Sequence, residues 1–142
     1  MTAKTRTAMI ATLLSGAMAG CGGDNGSPVD NPTGPSPTVA ATVTITSSGA
    51  SPQQVRIQPG EMVRFVNNDT IAHVPTSNPH PTHTDCPPIN GVGTLQPGSS
   101  GTTAAMNTAR SCGFHDHNNP DDARFAGQIL VGGAAPEPGP GY

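Results

Sequence analysis

Side chains that can bind a transition metal are concentrated in three short segments of this 142-residue sequence. The first segment, NNDTIAH, ends at His73, the second is HPTHTDC (80–86), and the third is CGFHDH (112–117). Together they hold all five histidines and two of the three cysteines of the chain. Imidazole and thiolate are ligands that zinc and copper prefer. Because histidines of a small domain normally scatter over its surface, this grouping predicts a metal site.

Short strands are the elements that must position these groups. VTITSS (43–48) alternates apolar and polar residues, and QQVRIQPGEMVRFVNND (53–69) contains two such runs joined by a Pro-Gly turn. Asn78–Pro88 contains four prolines and is therefore expected to be a loop, as is the segment that runs from Cys112 to the closing strand AGQILV (126–131). Seven or eight strands with frequent turns predict an all-β protein, an antiparallel β-sandwich.

The chain divides into four parts by composition. Residues 1–20 have a basic start and a short apolar run, as in an export signal, and Met18–Cys21 resembles the lipobox of bacterial lipoproteins. That resemblance implies lipidation at Cys21, an anchor to a membrane and a place in the cell envelope or periplasm. Residues 21–38 are predicted to be a Gly/Ser/Pro tether, 39–132 the folded domain, and 133–142 a flexible tail.

Charge restricts the class of partner. After the signal, four arginines and no lysine stand against nine acidic residues. A nucleic-acid-binding surface needs clustered basic residues to meet phosphates, so nucleic acid is not expected as a partner.

Two motifs resemble those of the cupredoxins, the family of small blue-copper proteins. VRIQPGEMVRFVNND with His73 is similar to the family's first ligand region, through Phe65, Asn67 and Asp69. C112-G-F-H115 followed by G127-Q-I129-L-V131 is similar to the ligand loop and last strand. The resemblance implies a Greek-key β-sandwich that binds one copper ion through His73, Cys112 and His115. It also implies electron transfer with a redox partner protein, and no enzymatic activity.

The sequence departs from the family pattern at the weak axial ligand. The family has methionine two residues before the closing glycine, where this chain has Phe125. A copper site here would lack that donor, or His117 would bind as well. Since His117 follows His115 by two residues, we expect their joint binding to require a curled loop.

Cys86 opens a second interpretation. An exported protein with two cysteines commonly pairs them, and a Cys86–Cys112 disulfide would remove the thiolate. The ligands would then be His73, His115 and His117, with His80 or His83 as additions, in a non-blue site for Cu(II) or Zn(II). Such a protein would handle metal and exchange it with a copper donor or acceptor.

The acidic residues of the third segment and the possibility of a domain without metal allow two further interpretations. Asp116, Asp121 and Asp122 are expected to solvate the loop, although Asp116 could instead orient a ligand histidine. A disulfide-linked envelope domain without metal is the third functional class, but it leaves the grouped histidines unexplained.

Overall fold

The computed structural model describes residues 36–138, which form eight strands, one short α-helix and one 3-10 turn. The elements are β1 (Val39–Thr46), β2 (Gly49–Ser51), β3 (Gln54–Ile57), β4 (Met62–Asn67), β5 (Pro75–Ser77), α1 (Pro87–Asn90), β6 (Ser100–Thr102), β7 (Ser111–Asp116), the 3-10 turn (Ala123–Phe125) and β8 (Gly127–Val131).

The strands form two four-stranded sheets, ordered β2-β1-β4-β6 and β3-β8-β7-β5. The predicted all-β sandwich of seven to eight strands is therefore confirmed. Its pairing differs in one respect, since β1 with β4 and β3 with β8 are parallel. The reason is that the Pro59-Gly60 turn carries the chain from the second sheet back into the first, where β4 runs alongside β1.

Alternating side chains fill the space between the sheets. Val43 and Ile45 of β1 and Val63 and Phe65 of β4 are buried, as their period of two predicts. The ring of Phe65 meets that of Phe114 from the opposite sheet edge-to-face, with centroids 5.2 Å apart. Phe114 thus places the middle of β7 in contact with the core.

β7 is buried on both faces, because the core covers one face and the segment 78–85, which carries two histidines, covers the other. Cys112 and Phe114 project into the core, so Gly113 and His115 project from the outer face of the sheet. The segment 78–85 lies over that outer face, with the Asn78 amide donating to the Gly113 carbonyl at 3.1 Å. The expected loop that begins at Cys112 is thus a strand as far as Asp116.

Part of the predicted organisation lies outside the described residues, namely the signal peptide (1–20), the lipidation site Cys21 and most of the tether. Of the predicted tail, residues 133–138 are described, and the Glu137 backbone makes two hydrogen bonds with the Gln128 side-chain amide. Within residues 36–138, the structure contains no helix with the length and apolarity needed to cross a membrane.

Candidate metal centre

Four histidines come together on the outer face of the second sheet. One ring nitrogen from each of His80, His83, His115 and His117 lies within 4.8 Å of the other three. We call this group the four-histidine cluster. His115 is on β7, His117 follows the strand, and His80 and His83 belong to the segment that covers it.

Strand geometry explains why His115 and His117 share a side. In an extended chain, residues two apart project from the same face, so β7 needs no curled loop to bring them together. Thr76 of β5 lies directly opposite His115 in the antiparallel pair, and its Oγ1 is 3.3 Å from His115 Nε2. The His115 side chain is buried, whereas His117 is exposed.

Hydrogen bonds hold the covering segment in place. Asp85 N donates to the Asn78 carbonyl at 2.9 Å, and His83 N donates to the Pro79 carbonyl at 2.7 Å. The Asn90 side chain of α1 accepts from Ser77 N and donates to the His83 carbonyl, each at 2.9 Å. The backbone around His83 is therefore held both within the segment and by α1.

Gly113 makes room for the contact that orients His115. A Cβ at this position would collide with the Asn78 side-chain amide, which lies against the bare backbone of β7. From there, Asn78 Oδ1 reaches His115 Nδ1 at 2.8 Å. A glycine is thus required here by packing.

The tautomers of two cluster histidines follow from their partners. Carbonyl oxygens only accept hydrogen bonds, so Nδ1 of His115 donates to Asn78 Oδ1, and Nδ1 of His83 donates to the Ser77 carbonyl at 2.9 Å. The lone pair of each neutral ring is then on Nε2. His83 Nε2 faces His117 Nδ1 at 3.0 Å.

One ring nitrogen of His80 has no hydrogen-bond partner among the described residues. Its Nδ1 is buried, and no atom of residues 36–138 satisfies it with a hydrogen bond. Buried polar nitrogens are nearly always satisfied by a partner, so an unpaired one beside three other imidazoles is expected where an ion binds.

Burial keeps His115 in the neutral form that a metal requires. It lowers the pKa of His115 to about 4, and repulsion from the other three cluster histidines acts in the same direction, while Asp116 opposes it. Four nitrogen donors without a thiolate suit Cu(II) or Zn(II). The residues of this cluster therefore fit a metal ion.

The structure corrects the prediction that Cys112 is a copper ligand. Cys112 is bonded to Cys86, the second of the two interpretations of the sequence, and both cysteines are buried in the core. Moreover, Cys112 and His115 project from opposite faces of β7, because three residues separate them on an extended strand. C112-G-F-H115 has the family's spacing but not its geometry.

His73 is also not brought to the cluster. Its Nδ1 lies 2.8 Å from Asp116 Oδ2, and its Nε2 lies 3.2 Å from Asp69 Oδ2, in a fully buried position. We call these three residues the Asp–His–Asp triad. Because carboxylate oxygens contact both ring nitrogens, neither nitrogen of His73 is open to a metal in this arrangement.

The triad lies where the sequence resemblance placed the blue-copper site. Phe125, at the position of the family's methionine, stacks on His73 with ring centroids 4.7 Å apart. The group that meets His73 from β7 is the carboxylate of Asp116, four residues beyond Cys112. The residues at this position therefore do not fit a blue-copper ligand set.

The acidic residues divide into two groups. Asp116 is buried and bonds His73, which is not a member of the cluster, whereas Asp121 is exposed and Asp122 pairs with Arg124 at 2.7 Å. Sequence reasoning missed Asn78, Thr76 and Gly113, since only the register of β5 and β7 brings them to His115.

Comparisons with known proteins identify the fold. No family model and no curated protein matches the sequence. Amicyanin from Paracoccus versutus (Thiobacillus versutus) covers 65% of this chain and 80% of its own, at 21% identity and a TM-score of 0.50. A mutant of amicyanin in the Cu(I) form covers 65% and 81%, at 14% identity and a TM-score of 0.50. A purple cupredoxin from Nitrosopumilus maritimus covers 64% and 98%, at 18% identity and a TM-score of 0.49.

Proposed function

We propose that this chain, which has the cupredoxin fold, binds one copper ion as Cu(II) at the four-histidine cluster. The observation that carries the proposal is the convergence of four ring nitrogens, one from each histidine, within 4.8 Å of one another. The buried and unpaired Nδ1 of His80 supports it. Imidazole nitrogen is a preferred ligand of Cu(II), which stands above Zn(II) in the order of divalent affinities.

The ligand set determines the kind of copper site. Blue copper owes its colour and its redox behaviour to a cysteine thiolate, and Cys112 is bonded to Cys86. Copper at the cluster is thus a non-blue, nitrogen-ligated centre. Phe125 contacts His73 rather than the cluster, so the missing methionine has no bearing on this site.

Exposure favours a role in copper handling over catalysis. His117 is exposed and His80 partly exposed, so an ion reaches the cluster from solvent or from another protein. We infer that the chain buffers copper or exchanges it with a donor or acceptor protein. An exported, lipid-anchored location in the cell envelope fits this role and fits a disulfide-bonded domain.

Electron transfer, which the resemblance to cupredoxins implies, is the second candidate function. The observation that favours it is the anchoring of His83 and His115, whose Nδ1 atoms are both held by protein oxygens. Ligands that do not move between oxidation states make electron transfer fast. A reversible one-electron couple of the bound copper would support this function, and irreversible loss of copper on reduction would oppose it.

The test is a Cu(II) titration of metal-free protein with its disulfide intact. We expect one ion per chain, an electron paramagnetic resonance spectrum with nitrogen splitting, and no intense blue absorption. His83→Asn and His115→Asn are informative variants, since asparagine nitrogen can retain the Nδ1 hydrogen bond while the Nε2 donor is lost.

The matched control is Thr82→Ala, an exposed residue of the same segment. It should bind Cu(II) as the parent protein does, whereas the two histidine variants should bind more weakly by about tenfold or more. Unchanged affinity in both histidine variants would contradict the proposal, and absence of binding in the parent protein would favour a domain without metal.

A further inference from the structure

We propose that the chain has a second, redox-dependent metal site, which binds Cu(I) through the reduced thiols of Cys86 and Cys112 and the thioether of Met106. These three sulfur-containing residues line one partly open cavity of about 160 Å³. Thiolate and thioether are the ligands that select Cu(I). The site lies across β7 from the four-histidine cluster, because Cys112 and His115 project from opposite faces of that strand.

The three ligands come from separate elements that hold them without the disulfide. Cys112 is within β7, where it pairs with Ile129 of β8. Cys86 precedes α1, and its carbonyl accepts from Ile89 N at 3.0 Å. Met106 is fixed by two backbone hydrogen bonds to the turn between β3 and β4, in which Gly60 N donates at 3.0 Å and Glu61 O accepts at 2.9 Å. Reduction of one bond therefore leaves the three side chains facing the same cavity.

The cavity gives a reductant a route to a bond that is otherwise buried. Cys86 and Cys112 are only 3% and 2% exposed, yet both line this opening. Arg110 and Asp85 line it as well. The Arg110 cation would offset the Asp85 carboxylate and part of the negative charge that two thiolates place on a Cu(I) complex.

The chemistry has two balanced steps. An external dithiol attacks one sulfur, the protein S–S bond breaks through a mixed disulfide, and the reductant leaves as its own disulfide with two protein thiols formed. Cu(I) then binds both sulfurs, and two protons are released. The first step consumes the two electrons of the dithiol, and the oxidation state of copper does not change in the second.

This inference is independent of the four-histidine cluster, because it uses other residues and another oxidation state. The test is an anaerobic Cu(I) titration of the full chain against a chromogenic Cu(I) chelator, before and after reduction by a dithiol that is then removed. We expect the reduced chain to bind one more Cu(I) than the oxidised chain. The His83→Asn/His115→Asn variant should show the same difference, which separates this site from the cluster.

Two variants identify the ligands. Cys86→Ser/Cys112→Ser should lose the additional Cu(I). Met106→Leu keeps both thiols and nearly the same volume in the core, and it should weaken Cu(I) binding by about tenfold or more. Met62→Leu is the matched control, because Met62 does not line the cavity, and it should leave Cu(I) affinity unchanged.

Three results would overturn the proposal. Equal Cu(I) binding by the oxidised and reduced chains would remove the site. Loss of the β-sheet circular dichroism on reduction would show that the disulfide is needed for folding and that no preformed site exists. Equal Cu(I) affinity of Met106→Leu and the parent protein would exclude the thioether ligand.

Discussion

His83 Nε2 and His117 Nδ1 face each other across 3.0 Å, although 34 positions separate them in the sequence. Nδ1 of His83 donates to the Ser77 carbonyl, so its Nε2 carries a lone pair in the neutral ring. In the metal-free protein, His117 Nδ1 must then carry the hydrogen of this contact. A metal ion between the two rings would take the place of that hydrogen.

A change of tautomer at His117 is therefore expected on metal binding. Its hydrogen should move from Nδ1 to the other ring nitrogen, while His83 keeps the hydrogen on Nδ1. Nitrogen-15 spectra of the imidazoles, recorded with diamagnetic Zn(II) as a probe, distinguish the two tautomers. An unchanged His117 tautomer in the Zn(II)-loaded protein would show that Nδ1 is not a ligand.

Gly113→Ala tests the packing that orients His115. The new Cβ displaces the Asn78 side chain, which is the hydrogen-bond acceptor of His115. We expect the free energy of unfolding to fall by about 1–3 kcal/mol and metal affinity to fall by about 10–100-fold. Gly91→Ala is the control, because that glycine has helical φ and an added Cβ would make only an ordinary contact. Equal metal affinity in the two variants would contradict this account of Gly113.

The strands of the domain could be predicted from sequence because local alternation reflects a two-sided environment. Val43 and Ile45 face the core, as their spacing indicates. The same rule failed at Cys112 and His115, where a run of small and ligand-type residues was interpreted as a loop. All six residues of β7 are buried, so the alternation of apolar and polar residues that marks a half-buried strand is absent there.

The sequence predicts that the candidate site is built from histidines, but it predicts less well which histidines belong to it. The expectation that His115 and His117 need a curled loop to bind together was wrong, because residues two apart on an extended strand share a face. The positions of His80 and His83 depend on hydrogen bonds from Asn78 and Asn90, which leave no periodic signal in the sequence. His73 was predicted as a ligand from a local motif. Its actual partner, Asp116, is 43 residues away, and only the register of β7 decides which side chain meets it.

The low pKa of His115 predicts a dependence of stability on pH. Its pKa of about 4 in the folded protein is below the ordinary value of 6.5, so the unfolded chain binds more protons between these values. Stability of the metal-free protein should therefore fall as the pH is lowered from about 6.5 towards 4. Urea denaturation at pH 7 and pH 5 measures the fall.

His115→Asn is the control for this pH dependence, since asparagine does not titrate. The decline between pH 7 and 5 should be smaller in this variant than in the parent protein. The aspartates with lowered pKa, Asp69 and Asp116, lose their contribution only at lower pH and do not account for the difference. Equal declines in the two proteins would assign the effect to other groups.

Asp116→Asn should weaken metal binding without removing a ligand. The carboxylate accepts from the Val74 amide at 2.8 Å and the Asn118 amide at 3.2 Å, and it also accepts from His73. These bonds hold the turn that carries His117. We expect a loss of about 3–5 kcal/mol in unfolding free energy, because the buried triad loses one charge, and weaker metal binding.

The control for Asp116→Asn is Asp121→Asn, which neutralises an exposed acid of the same loop. Thermal denaturation and metal titration of both variants separate the loss of the buried bonds from the loss of negative charge near the cluster. Similar behaviour of the two variants would indicate that charge alone is responsible.

Replacement of both cysteines distinguishes an imidazole site from a thiolate site. Cys86 and Cys112 are 26 residues apart, and a cross-link of this length typically contributes about 2–4 kcal/mol to stability. The free energy of unfolding of Cys86→Ser/Cys112→Ser should be lower by that amount, so the variant should unfold at a lower urea concentration. It should still bind one Cu(II) with the spectrum of the parent protein, because the four-histidine cluster lies on the other face of β7. The midpoint of urea denaturation and the nitrogen splitting of the copper spectrum measure the two effects separately. Loss of Cu(II) binding in a variant that remains folded would make a cysteine sulfur the ligand after all.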